Sequence, residues 1–98
     1  MPKYLMLWSL NKSVLPANSK ERGGGWTLLM EMIKNDIKKG VIKDWGAFTS
    51  QGAGYSIMEG SNLEVMKTTE QYSPYVFFEP RPIATMEEVL ELIQYLSK

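Results

Sequence analysis

The stretch YLMLWSL, residues 4–10, decides the fold. It lacks the alternation of apolar and polar residues that is typical of a strand with one solvent-exposed face. Side chains along a strand point alternately to opposite faces of the sheet. One face would carry Tyr4, Met6, Trp8 and Leu10. The other face would carry Leu5 and Leu7, and Ser9 is its single polar residue. A strand that is apolar on both faces needs cover on both sides of its sheet.

The bulk composition narrows the class of protein. The 98 residues fit one domain, spanning positions 1–98. Eleven basic and eleven acidic residues cancel, and nucleic-acid binding normally needs a basic face. The chain also lacks the run of about 18 apolar residues that a membrane-spanning helix requires. We therefore expect a cytoplasmic protein whose partners include neither nucleic acid nor membrane.

The chain contains no histidine and no cysteine. This excludes Ser-His-Asp and Cys-His nucleophiles, a histidine-ligated haem and the common zinc sites. We accordingly expect no metal ion and no cofactor. Any acid or base must come from Asp, Glu, Lys or Tyr.

A helical period begins after the first strand and a polar connection. Apolar residues recur at the spacing of one helix face at Trp26, Leu29, Met30, Ile33 and Ile37. Gly40 follows two lysines as a helix stop. We predict a helix over about 24–39, with an earlier first turn if Asn18 or Ser19 caps it. The run Gly23–Gly25 is interpreted as a mobile loop or a close backbone approach, because glycine weakens helices.

The remaining elements follow from turn and capping signals. VIKDWGAFTS (41–50) and GYSIMEG (54–60) predict two strands of a hairpin joined by a glycine turn. A capping box at Ser61 and Glu64 opens a second helix. PYVFFEPRP (74–82) is then a fourth strand, apolar on both faces.

A terminal helix completes the order. Thr85 and Glu88 form a second capping box, followed by the apolar stripe of Met86, Val89, Leu90, Ile93 and Leu96. The order β-α-β-β-α-β-α predicts an α+β, ferredoxin-like fold with an antiparallel sheet in the order 4-1-3-2. Pro80 and Pro82 remove two donors from one side of the fourth strand, which suits the outer side of an edge strand.

Two helices cover only one face of such a sheet. The other face would expose more apolar surface than a soluble monomer tolerates. We expect a second copy to cover it, in a homodimer with the two sheets face to face. The alternative is that the terminal helix folds over the open face. On the dimer interpretation, Met6 and Trp8 lie at the interface or in a pocket wall.

Four stretches carry a resemblance to a known family: YLMLWSL, MIKNDIKKGVIKDWGAF, GYSIMEG and YSPYVFFEPRPIATMEEVLELI. Together they resemble the dimeric α/β-barrel superfamily, which includes muconolactone isomerase-like proteins and antibiotic-biosynthesis monooxygenases. The resemblance covers most of the chain and concerns the fold rather than the chemistry. It implies a homodimer with a cleft between sheet and helices or inside the barrel. Haem-degrading members depend on histidine, so their activity is not implied here.

Aromatic residues are the candidates for a ligand site. A flat apolar molecule could be bound by Tyr4, Met6, Trp8, Trp45, Tyr55 and Phe77. The same side chains could instead fill the dimer core. Binding of a small apolar or aromatic molecule is therefore one predicted function, and a purely structural dimer is an alternative.

Carboxylates at strand ends are the candidates for catalysis. Glu59 and Asp44 could act as the base of a cofactor-independent isomerase or monooxygenase, because a carboxylate among aromatic rings has a raised pKa. In the alternative without catalysis, each of them lies at a strand end in water. For Glu79 and Arg81 there are two alternatives: each lies at a strand end in water, or they pair with each other across the sheet edge.

Overall fold

The structure is a computed structural model that describes residues 2–98. It is an α+β fold with one four-stranded antiparallel sheet and three α-helices. The strands are β1 (Lys3–Leu10), β2 (Ile42–Ala47), β3 (Ala53–Glu59) and β4 (Val76–Ile83). The helices are α1 (Ser19–Lys39), α2 (Asn62–Glu70) and α3 (Met86–Leu96), with a short 3₁₀ turn at Lys12–Val14.

The strand order is β2-β3-β1-β4, which is the predicted order 4-1-3-2 counted from the other edge. The ferredoxin-like prediction is therefore confirmed at the level of topology. β4 is an edge strand, and its Pro80 and Pro82 pair with Met6 and Tyr4 of the neighbouring strand. The side chains of Arg81 and Glu79 form an ion pair at 3.4 Å.

Helix α1 begins earlier than the secure prediction. Asn18 caps it, because its side-chain oxygen accepts hydrogen bonds from the backbone N–H groups of Lys20 and Glu21. The run Gly23–Gly25 is helical, so its interpretation as a mobile loop is wrong. A Cβ atom at any of these glycines would have no described atom within 4 Å, so no close approach within the chain requires them. The helix ends as predicted at Gly40, whose φ is 86°.

Both predicted capping boxes are present. Ser61 and Glu64 close the first turn of α2, and Thr85 and Glu88 that of α3, each by reciprocal bonds between side chain and backbone. The backbone N–H of Ser61 holds the pKa of the Glu64 carboxyl below its usual value, helped by the Ser61 hydroxyl. These contacts fix where the two helices start.

The core lies between the sheet and the helices α1 and α2. Its buried members come from both layers: Met6, Ile33, Ile42, Met58, Val65 and Tyr72. Met6 and Trp8 are only 1% and 4% exposed. The face of β1 that carries them is thus the helix-covered face.

The opposite face of the sheet is open. We call it the open face; it is formed in β1 by Leu5 and Leu7, which pair with Ile57 and Tyr55 of β3. These four side chains are half-buried. On β4 the same face carries Phe77, which is exposed. Helix α3 does not cover it: every residue of α3 is exposed.

The molecule is elongated because helices overhang both ends of the sheet. Its principal extents are 61 × 26 × 18 Å, whereas an eight-residue strand spans about 26 Å. The 21 residues of α1 span about 32 Å, about 6 Å more than the strand, and residues 19–25 at its start are all exposed. Helix α3 projects beyond the opposite end, after Ile83.

Candidate functional site

A small cavity lies between the sheet and α1. Its volume is about 20 Å³, and it is lined mainly by aromatic and aliphatic side chains. By the same measure one water needs roughly 10–15 Å³. The cavity in this conformation therefore holds no more than about one water.

All three tryptophans of the chain line this cavity. The rings of Trp8 and Trp45 are stacked, with centroids 5.4 Å apart and planes 6° from parallel. Trp26 of α1 meets Trp8 edge to face at 6.2 Å. The two strands β1 and β2 thus supply a stacked pair, and α1 supplies the ring that closes it.

Gly54 makes the position of Trp8 possible. A Cβ at residue 54 would lie 2.4 Å from the Trp8 ring and 2.2 Å from the backbone oxygen of Gly46. The indole N–H of Trp8 donates to the backbone oxygen of Tyr55 at 3.1 Å. Close packing and one hydrogen bond therefore fix this wall of the cavity.

Ser56 is the polar feature of the cavity. It is 1% exposed, and its Oγ has no hydrogen-bond partner among the described residues. A buried hydroxyl left unpaired costs about 1–3 kcal/mol. On the helix-facing side of β3, Ser56 lies between Gly54 and Met58, which are both buried. The cavity thus offers one unsatisfied polar atom in an apolar surround.

A buried carboxylate lies beyond the cavity wall. Asp36 of α1 is 1% exposed, and its Oδ2 accepts a hydrogen bond of 2.6 Å from the Tyr72 hydroxyl. The Gln71 amide approaches the other oxygen at 3.5 Å. Burial raises the pKa of Tyr72, and the bond to Asp36 raises it further. The Tyr72 ring lines the cavity, so this pair anchors its floor.

The two predicted catalytic carboxylates lie elsewhere. Asp44 Oδ2 accepts a 2.8 Å hydrogen bond from the Tyr55 hydroxyl on the open face. This bond is the main cause of a raised pKa at Tyr55. The Tyr55 ring reaches Asp44 across Gly46, where a Cβ would lie 2.5 Å from it. Glu59, at the end of β3, lies opposite Lys3 in the backbone register of β1 and β3, and neither ion pair among the described residues includes its carboxylate.

The predicted ligand residues divide between the two faces. Trp8 and Trp45 meet at the cavity, whereas Met6 belongs to the core. Tyr4 packs against that core and donates its hydroxyl to Asn62. Tyr55 and Phe77 lie on the open face of the sheet, where Phe77 borders a second pocket to which Trp8 also contributes. The six residues are thus distributed over both faces, as the alternation of strand residues requires, and their role in binding a ligand stays a prediction.

Three residues of the site were not anticipated. Trp26 was treated as part of a helical stripe, and Ser56 carried no signal in a strand of mixed residues. Asp36 did carry a signal: it follows Ile33 by three residues, so it lies on the apolar stripe of α1, where a charge is out of place. A charge on an apolar helix stripe predicts a buried partner.

No family model matches the chain, and no curated protein matches it. Within residues 2–98, no three His, Cys, Asp or Glu side chains cluster closely enough to hold a metal ion. The described part of the chain also has no helix long and apolar enough to cross a membrane.

Proposed function

We propose that this protein binds a small apolar or aromatic molecule carrying one hydrogen-bonding group, in the cavity between its sheet and α1. The observation that carries the proposal is the unpaired Ser56 hydroxyl in an apolar cavity walled by tryptophans. Ligand pockets are typically apolar with a few placed polar groups. A ligand hydroxyl or carbonyl would satisfy Ser56, and the indole rings would take up its apolar part.

The ligand requires the cavity to widen, and the first half of α1 is where it would do so. No residue of α1 before Ile33 is fully buried. The run Gly23–Gly25 weakens the same half by about 1 kcal/mol per glycine relative to alanine. Segments with few buried contacts open at low free-energy cost. Movement of this half would lift Trp26 away from Trp8 and admit a ring.

Phenol and toluene make a matched pair of probes for this site, because phenol carries a hydroxyl where toluene carries a methyl group of similar size. Titration of the wild-type protein with each, followed by tryptophan fluorescence, is expected to give saturable changes, because all three reporters line the cavity. The Ser56→Ala variant is expected to bind phenol roughly two- to twelvefold more weakly, the value of one net hydrogen bond. Its affinity for toluene should not fall.

Two results would overturn the proposal. One is no saturable signal with either probe, which favours the purely structural dimer. The other is an equal loss of phenol and toluene affinity in Ser56→Ala, which means that the hydroxyl does not contact the ligand. Isothermal titration calorimetry on the same samples separates binding from nonspecific quenching.

The proposal includes a homodimer of the dimeric α/β-barrel type, with the open faces of two copies in contact. Half-buried Leu5, Leu7 and Ile57 and exposed Phe77 support it. A second copy would remove this apolar surface from water at about 25 cal/mol per Å². Isologous contact also suits a chain with no net charge. The cytoplasmic location stays a prediction.

Catalysis by a carboxylate base is the second candidate function, and the Asp44–Tyr55 pair favours it. In a face-to-face dimer this hydrogen-bonded pair would lie inside the barrel, where burial strengthens its interactions. A ligand α-proton could pass to the Asp44 carboxylate there. Loss of substrate proton exchange in Asp44→Asn, with phenol affinity unchanged, would distinguish this chemistry from binding in the tryptophan cavity.

A further inference from the structure

We propose that helix α3 docks on a second copy of this chain, in a groove beside the first half of α1. We call this groove the α1 groove; it is lined by apolar side chains that include Val14, Leu15, Leu28 and Tyr75, with Arg22 among them. The inference rests on the homodimer of the proposed function. It adds which segments exchange between the two copies.

Helix α3 needs a partner. Eleven residues are too few for a stable isolated helix in water, where even good sequences need about 12–15. Its apolar stripe is nevertheless exposed throughout, with Met86 80% and Ile93 52% exposed. The capping box that starts the helix contributes little beside the burial of such a stripe.

The α1 groove needs an occupant. Its volume is about 270 Å³, and Leu28 on its wall is 64% exposed. Residues 19–25 of α1 are all exposed, so nothing in the described chain covers the groove at this end of the helix. Grooves of this kind receive the apolar face of an amphipathic helix.

The chain cannot fill its own groove with α3. The groove lies at the sheet end marked by Leu10 and Tyr75, whereas α3 starts after Ile83, which pairs with Lys3 at the other end. The two ends are about 23 Å apart at about 3.3 Å per residue. Two linker residues reach about 7 Å, and the middle of α3 lies about 8 Å farther on. A second copy with its sheet reversed brings α3 to the groove.

Charge favours the same pairing. The polar side of α3 carries Glu87, Glu88 and Glu91, and residues 10–32 around the groove carry Lys12, Lys20 and Arg22 against Glu21 and Glu31. Opposite charges beside an apolar contact fix its register. By two-fold symmetry, the α3 helix of each copy would lie in the α1 groove of the other copy.

Cysteine cross-linking tests the exchange of α3 between copies. The chain has no cysteine, so no native thiol competes with the introduced ones. A tagged Ile93→Cys chain is mixed with an untagged Leu28→Cys chain and oxidised with a glutathione redox buffer. Both positions are exposed, so both chains are expected to fold. We expect a mixed disulfide at the summed mass of the two chains on a non-reducing gel.

The matched control is Glu91→Cys, which replaces a residue on the polar side of the same helix turn and is expected to give little mixed disulfide. If Ile93→Cys disturbs folding by circular dichroism, Val89→Cys replaces it on the same stripe. The absence of a mixed disulfide, in a protein whose light-scattering mass is that of two chains, would overturn the exchange and leave the sheet-face dimer standing. A one-chain mass would overturn both. An intrachain disulfide in the double variant would show that α3 folds back.

Discussion

The two faces of the sheet are built from the same strands but differ in what covers them. On the helix-covered face, Met6 and Met58 are each 1% exposed. On the open face, their neighbours Leu5, Leu7 and Ile57 are half-buried, and Phe77 is 58% exposed. Since successive strand residues alternate between the faces, one strand can serve a closed core and an interface at once. The covered face holds the tryptophan-lined cavity, and the open face carries the apolar surface that the proposed dimer would cover.

Replacement of one side chain on each face should separate these roles most strongly. Met6→Ala is expected to lose about 2–5 kcal/mol of unfolding free energy, the usual cost of a buried truncation. Leu7→Ala, its matched control on the open face, should lose less. If a second copy covers that face, the loss should shrink on dilution, because dissociation removes the contact from wild type and variant alike. Urea denaturation at two protein concentrations measures both. Equal losses that do not depend on concentration would contradict the difference between the faces.

Two glycine replacements should change stability in opposite directions. Gly54→Ala places a methyl group against the Trp8 ring and a backbone oxygen, so we expect a loss of about 1–3 kcal/mol or more from overpacking. Gly24→Ala meets no described atom within 4 Å and should gain about 1 kcal/mol of helix propensity. Thermal melts of the two variants give the signs directly. A stable Gly54→Ala variant with unchanged tryptophan fluorescence would contradict the packing of the cavity wall.

The order of the strands could be predicted from the sequence, but the face of β1 that the helices cover could not. The strand order followed from element order and from Pro80 and Pro82, which only an edge strand tolerates. The assignment of faces did not follow, because both alternations of residues 4–10 are apolar. Met6 was therefore expected at an interface or pocket wall and lies in the core.

The site and the start of α1 were harder to predict for two physical reasons. The helical state of Gly23–Gly25 depends on the Asn18 cap and the surrounding fold, which outweigh residue propensity. The meeting of Trp8, Trp45 and Trp26 depends on long-range packing that no local pattern encodes. The Asp36–Tyr72 pair spans 36 positions, although the charge of Asp36 on an apolar stripe signals it.

The Tyr72 hydroxyl should give a smaller, pH-dependent effect on the covered face. Burial and the bond to Asp36 raise the pKa of Tyr72 above its ordinary value of 10.0. The unfolded chain therefore ionises first, so this contribution to stability is present below pH 10 and is lost as the pH rises further. Tyr72→Phe should reduce the alkaline fall in melting temperature, while leaving Asp36 without its donor at a cost of about 1–3 kcal/mol at neutral pH.

Tyr95→Phe, on exposed α3, is the control for Tyr72→Phe and should change the neutral stability little. Melting temperatures from pH 7 to 12, followed by circular dichroism, give both comparisons. An alkaline profile of Tyr72→Phe identical to that of the wild type would contradict the raised pKa of Tyr72.

The native mass of the protein tests the contrast between the two faces most directly. Multi-angle light scattering after gel filtration, at micromolar concentration, is predicted to give two chains, twice the 11.2 kDa of one. A second copy would then cover the open face that α3 leaves bare. A mass of 11.2 kDa at that concentration would contradict the account, because the apolar open face would then be stable in water alone.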